Sequence, residues 1–386
     1  MRTLRDTFDP RANSFDVLRL LFAGTVAVSH GLVLHTGWQP RWGASTLGDF
    51  GLDGFFILSG FLVTRSYLNL ASLPRFAWHR FLRIMPGFWV CLLVIALVAA
   101  PAAALLRGLP AGTPFTGEPS AIRYVLANAG LLIVQYDIAG ILVDRPRELS
   151  FNGALWTLFF EAFCYTVVAA LGVLGVLRRR RWVVAGIVAV LAVLTALQEA
   201  GLPVWVNERV LRLLFVFLLG SLAHLYADRI PMRGSIAAAA AAVFLGSVAV
   251  FHDYRVLGAA PLAYLIAWSG TCFPWPWSMR ADFSYGVYIY HWPLFQLLGL
   301  TGLAAAPSPL FVLVGLVLVV VPAALSWYLI EKPALSRKHS ALPDRIAGWT
   351  ARAGRRAVVR RSRRAGPGPA PAGTSRGGRS AARPNR

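Results

Sequence analysis

The chain is 386 residues long, 57% hydrophobic and 14% charged, where a soluble domain carries about 45–50% and about 25%. With a mean hydropathy of +0.59 it cannot cover itself with polar surface, which excludes a soluble globule and excludes disorder over most of its length. The net charge of +21 is unevenly placed, with fourteen basic residues and one acid, Asp344, between Arg337 and Arg386.

The apolar runs are continuous, near 20 residues and without alternation, so they predict spanning helices rather than a β-barrel. The fold class is all-α, a polytopic membrane protein of about ten transmembrane helices. In chain order the spans are predicted at 15–35, 48–68, 84–106, 151–177, 182–198, 209–227, 235–251, 256–273, 283–301 and 309–330. The first run follows Arg2, Arg5 and Arg11 and continues without a small-residue cleavage site, so it is read as a retained span. Between the third and fourth spans, 107–150 holds a moderately apolar stretch at 122–143. That stretch reads as a re-entrant or interfacial helix; if it spans instead, the topology downstream inverts, which the inner placement of Arg178–Arg181 argues against.

Loop charge sets the orientation. Placing the N-terminus in the cytoplasm puts Arg75, Arg80, Arg83, the Arg178–Arg181 run, Arg229, Arg233 and Arg280 inside, while the loop at 302–308 has no cation. Both termini are then cytoplasmic. The domains are a membrane part, 1–336, and a basic tail, 337–386, rich in Gly, Pro, Ser and Ala and predicted to be disordered. The tail reads as a topology anchor, with no nucleic-acid partner expected. Cys91, Cys164 and Cys272 show no paired spacing, which points to packing thiols rather than disulfides or a metal site.

Ionisable groups inside hydrocarbon are costly and usually face a cavity or a partner. That rule selects Arg19 and His30 in the first span, Asp53 in the second, Glu161 in the fourth and His291 in the ninth, with Arg80 and Arg83 just before the third. His30 and Glu161 fall in the outer half at depths within about 8 Å of each other, counting about 1.5 Å per residue. An imidazole beside a carboxylate is the arrangement of a general base; a packing histidine and a helix–helix polar contact are the alternative. Arg80 and Arg83 share one helical face and suit a phosphate clamp, or serve only as positive-inside charges. Arg19 stands three residues from Asp16, so it is either an intrahelical ion pair or the partner of an anionic donor. His291 precedes Trp292-Pro293, and the proline marks a kink that borders a cavity or is merely braced by the histidine.

Taken in order, Arg19-x10-His30, Gly-Leu-Asp-Gly-Phe-Phe-Ile-Leu-Ser-Gly-Phe at 51–61, Arg80-Phe-Leu-Arg83-Ile-Met-Pro86, Trp156-Thr-Leu-Phe-Phe-Glu161, Ser284-Tyr-Gly-Val-Tyr-Ile-Tyr-His291-Trp-Pro293 and Glu331-Lys332-Pro333 form a pattern. The chain resembles the acyltransferase-3 family of integral-membrane O-acyltransferases over about residues 15 to 335. The resemblance implies ten spans in a bacterial-type cell membrane. It implies that His30 carries the chemistry, that Glu161 is required, and that Arg19, Arg80 and Arg83 serve the donor. Many members carry a second acid after the glutamate; here Ala162 stands there. The expected donor is acetyl-CoA or another acyl-CoA, with no bound cofactor and no metal, and the acceptor is a hydroxyl of a carbohydrate or glycolipid. His291 and Trp156 complete the expected substrate-binding positions. A proton-coupled transporter or flippase, relaying protons through His30, Glu161 and His291, is the alternative reading; no inverted repeat is visible in the sequence.

Overall fold

The computed structural model describes residues 2–70, 72–142, 150–273 and 281–340. Most of the predicted tail, from residue 341 on, lies outside the described residues. Among the described residues there are eleven helices of eight residues or more: α1 Phe15–Thr36, α2 Leu47–Leu70, α3 Leu73–Leu106, α4 Ala121–Asn128, α5 Trp156–Val173, α6 Arg181–Glu199, α7 Glu208–Leu225, α8 Gly234–Val250, α9 Arg255–Cys272, α10 Ser284–Leu298 and α11 Ser308–Ser336. A helix occupies each of the ten predicted apolar runs. Six of them (α1, α2, α3, α5, α6 and α11) are long and apolar enough to cross a membrane. The others fall short for separate reasons. Glu208, Arg209 and Arg212 charge the start of α7, α8 and α10 are shorter, and α9 contains Arg255 and Pro261.

Two boundaries differ from expectation. The third helix begins at Leu73, not near residue 84, because Pro74 sits in its first turn, where a proline needs no N–H partner, and the arginines that follow are good helix formers. Arg80 and Arg83 are therefore inside α3 rather than in a preceding loop. The described part of the 122–143 stretch, to residue 142, contains only the two-turn α4, which is too short to cross. Its Ala129 carbonyl accepts a 2.9 Å bond from Trp89 Nε1, seventeen residues and so about 25 Å before the end of α3. The segment thus doubles back alongside α3, as a re-entrant loop does. Its irregular backbone is satisfied from within: Asn128 Oδ1 accepts from the amides of Val134 and Gln135, and Asn128 Nδ2 donates to the Gln135 carbonyl at 2.7 Å.

The tightest helix pair is α2 with α7. A Cβ on Gly60 would overlap the Phe217 carbonyl, and one on Gly220 would overlap that of Ile57, so two bare Cα positions set the closest approach. At the distal end of the bundle, opposite the proximal end where α1 begins, Asp53 is fully buried on α2. It takes Arg212 of α7 at 2.9 Å, Arg255 of α9 at 2.5 Å and the Tyr254 hydroxyl at 2.6 Å. A buried carboxylate needs such partners, and here they tie three helices together. The centre is α10, whose residues are buried on almost every side and which packs on α1 and α11. Two π-helical turns, Ile95–Ala99 and Trp327–Glu331, each lie immediately upstream of a proline, Pro101 and Pro333. Such a widening absorbs the donor that proline lacks. The second turn carries Glu331 into the bundle.

Candidate active site

The proximal side of the site starts from a short link. Asp282 lies two residues before α10 and accepts from the Ser284 hydroxyl at 2.5 Å and the Ser284 amide at 3.2 Å on one oxygen. Its other oxygen binds Arg19 of α1 at 2.7 Å and Arg83 of α3 at 2.6 Å. Burial alone would raise this carboxyl, but the two guanidiniums and the serine hold it well below the usual carboxylate range. Arg83 also faces Glu331 at 3.9 Å, and Glu331 accepts from the Ser326 hydroxyl at 2.9 Å. Arg19 is thus paired across the bundle with Asp282 and bonds no oxygen of Asp16.

Arg80 is different. One turn before Arg83, it donates to Ser66 of α2 at 3.3 Å and lies 5.8 and 5.5 Å from the ring centres of Phe76 and Tyr165. Its Nε has no hydrogen-bond partner, and no carboxylate pairs with it among the described residues. Glu161 of α5 accepts from the Tyr165 hydroxyl one turn on and from Ser59 of α2 at 3.5 Å. The residues just after α11 fold back here: Trp78 and His79 of α3 donate to the carbonyls of Arg337 and Lys338 at 3.1 and 3.2 Å. Burial, and then repulsion from Arg83, Arg80 and Arg19, lower the affinity of Lys338 for its proton. Residues 337 and 338 are therefore docked, although the sequence assigned them to the tail.

Eleven residues beyond Arg19, about 16 Å along α1, His30 meets His291. His30 Nδ1 and His291 Nε2 are 2.8 Å apart, and the Trp292 ring stands edge-on at 4.8 Å. His291 is fully buried; His30 is half-buried. Between the arginines and this pair, Arg19 covers Phe55 at 5.3 Å, Phe55 lies 6.2 Å from Tyr288, and the Tyr288 hydroxyl bonds Thr157 and the Ala154 carbonyl.

The expected His30–Glu161 bond is not formed: His30 pairs with His291, and Glu161 with Tyr165 and Ser59. The reason is azimuth. Residue counting gives depth, but α1 packs on α2, α10 and α11, whereas α5 packs on α2, α3 and α7. Helix α2 lies between the two groups. Trp156 begins α5 at the distal end, with the Arg209 guanidinium 4.6 Å from its ring centre, and bonds neither histidine. Sequence reasoning passed over Asp282, Lys338, Arg212 and Asn152. Asp282 carried a signal, an acid two residues ahead of a serine at a helix start; the others are legible only from packing.

The chain, a long helical bundle with an imidazole inside it and arginines at one end, matches the acyltransferase domain family over residues 12–328. It belongs to that acyltransferase-3 family and is a multi-pass membrane O-acyltransferase. It is 29% identical over 377 residues to nodulation protein 10 of Rhizobium leguminosarum bv. viciae, covering 87% of this chain and 96% of that one. It is 25% identical over 339 residues to an O-acetyl transferase of Shigella phage Sf6, covering 85% and 97%. No solved structure matches the chain.

Proposed function

We propose that the protein moves a short acyl group, acetyl in the first instance, from acyl-CoA to a hydroxyl of a carbohydrate or glycolipid. In this reading all ten long helices span a bacterial-type cell membrane, both termini are cytoplasmic, and the proximal end faces the acyl-CoA pool. The observation that carries the reading is the combination of Arg80, a cation with no carboxylate in ion-pair contact among the described residues and an unbonded Nε, with a half-buried imidazole, His30, farther along the bundle.

The donor's phosphates bind at Arg80, with Lys338 adding charge and with Arg19 and Arg83 held in place by Asp282. The pantetheine arm runs past Phe55 and Tyr288 towards His30. There the acceptor hydroxyl gives its proton to His30 as its oxygen attacks the thioester carbonyl; the C–O bond forms, the C–S bond breaks, and the departing thiolate takes the proton. Glu161 acts on the donor side, fixing Tyr165 against Arg80, rather than on His30. Trp156 and Arg209 stand at the distal mouth, where the acceptor arrives.

Proteoliposomes supplied with radiolabelled acetyl-CoA, together with mass spectrometry of glycans and glycolipids from cells with and without the protein, test this. An acetyl mass increment that is lost in His30→Ala, at equal membrane abundance, is expected. Unchanged product with that variant removes His30 from the chemistry, and a product requiring no acyl-CoA removes the donor.

A further inference from the structure

A base must present a lone pair. Neutral histidine has one on either ring nitrogen, and which nitrogen holds it is decided by what the other one bonds. His291 settles the matter for itself: its Nδ1 lies 3.1 Å from the Val287 carbonyl one turn back. A carbonyl only accepts, so His291 Nδ1 carries the hydrogen, and its Nε2 is left as an acceptor. That acceptor is 2.8 Å from His30 Nδ1, so His30 Nδ1 carries the hydrogen in turn. The ring centres are 5.1 Å apart and the planes differ by 15°, as expected for two rings joined end to end rather than face to face. Among the described residues no carboxylate bonds either ring.

The remaining nitrogen, His30 Nε2, therefore holds the lone pair. It has no partner among the described residues and is not among the walled-in unpaired atoms. An isolated histidine favours the opposite tautomer, with the hydrogen on Nε2, which would leave no lone pair at the nitrogen that faces the acceptor. We propose that His291 is a positioning residue that holds His30 in its reactive tautomer through the relay Val287 C=O, His291, His30; the proposal rests on the acyl-transfer reading above. When the acceptor proton arrives at His30 Nε2, the positive ring keeps its Nδ1–H bond to His291. It returns the Nε2 proton to the leaving thiolate, and His291 neither gains nor loses one.

The relay needs α10 to be immobile, and its surroundings provide that. Pro293 has no N–H for the Ile289 carbonyl four residues earlier. That carbonyl instead accepts from Asn152 Nδ2 at 2.8 Å and from the Cys91 thiol at 3.3 Å. The Ser150 carbonyl takes both Trp292 Nε1 at 3.1 Å and Gln296 Nε2 at 2.9 Å, and the Tyr288 hydroxyl donates to Ala154 at 3.1 Å. The irregular segment before α5 thus fastens α10 on both sides of His291.

The test compares His291→Phe, which keeps a ring but offers no acceptor, with His291→Gln, whose side-chain carbonyl can take the His30 hydrogen while its amide donates to Val287. In the Phe variant kcat should fall about 10²-fold, the lower end of what a general base contributes, with the donor KM unchanged; Gln should restore most of the loss. Nitrogen-15 spectra of histidine-labelled enzyme, with the His30 signals assigned by His30→Ala, should show hydrogen on Nδ1 in the parent and on Nε2 in the Phe variant. If the Phe variant does not accumulate, His291→Asn, too short to reach His30, replaces it. Equal loss in the Phe and Gln variants, or a parent enzyme with hydrogen on His30 Nε2, overturns the proposal while leaving acyl transfer standing. Loss of acetyl product from the parent enzyme overturns the reading beneath it.

Discussion

Arg80 and Arg83 occupy adjacent turns of one helix, yet replacing each with alanine should damage different properties. Arg80 has no carboxylate within ion-pair distance among the described residues, so Arg80→Ala breaks no salt bridge; it gives up a 3.3 Å bond to Ser66, the contacts to the Phe76 and Tyr165 rings and a longer-range attraction to Glu161. What it removes is the charge-assisted contact to the donor's phosphates, about 1.5–3 kcal/mol. At 1.4 kcal/mol per decade that weakens acyl-CoA binding by about 10- to 150-fold, with unchanged protein yield. Arg83 binds Asp282 at 2.6 Å and faces Glu331, whose side chain is 3% exposed. Arg83→Ala takes one of its two guanidiniums from Asp282 and leaves Glu331 with Ser326 alone, and breaking a buried ion pair by removing one partner costs about 3–5 kcal/mol, a large part of a total stability of about 5–15 kcal/mol. That variant should be recovered poorly from membranes. The assay is acyl-CoA affinity on detergent-purified protein, paired with the monodisperse yield by fluorescence-detected gel filtration. Unchanged affinity in Arg80→Ala, or a normal yield of Arg83→Ala, would refute the division of labour between a ligand-binding cation and a structural one.

Asp282 should show its role in a pH series. Its carboxyl is held below the ordinary value, so its stabilising contribution is complete above about pH 3.9 and fades as the pH falls from there through the depressed value. Asp282→Asn should therefore melt earlier than the parent at pH 7, with the gap narrowing only in strong acid; a gap that closes near neutrality would contradict the ion pairs. Gly220→Ala should prevent recovery of folded protein, because the added carbon meets the Ile57 backbone, which cannot yield as a side chain would; normal yield would mean that α2 and α7 do not touch there. In a cysteine-free background, Gly302→Cys should react with an impermeant maleimide from outside intact cells, and Arg180→Cys should not. The reverse pattern would invert the topology.

Apolar runs made every long helix visible in the sequence, because burial in lipid or protein demands the same uninterrupted composition. Position around the helix axis is another matter. His30 and Glu161 were matched for height, but α2 separates their helices, and nothing in a linear count records which neighbour a helix face meets. Charge misled in one place: Arg80 and Arg83, on one helical face, read as lying before the third span, whereas they lie within α3, turned towards Asp282 and Ser66. Asp53 stood out as an acid among apolar residues, but its partners, Arg212 and Arg255, lie more than 150 residues away and resembled ordinary loop and helix-end cations. The histidine pair was half legible: both rings had been singled out, and Pro293 marked the place, but their meeting depended on the packing of α1 against α10.

Because α10 is enclosed by its own neighbours, the peripheral helices take the strain when the surrounding bilayer thins or thickens. Such mismatch is relieved by tilting whatever faces the lipid, at a cost of fractions of a kcal/mol per ångström. The two imidazoles sit on an axle rather than on the wheel's rim. Catalytic rate should therefore hold steady across host lipids of different chain length, even where assembly of the outer helices does not.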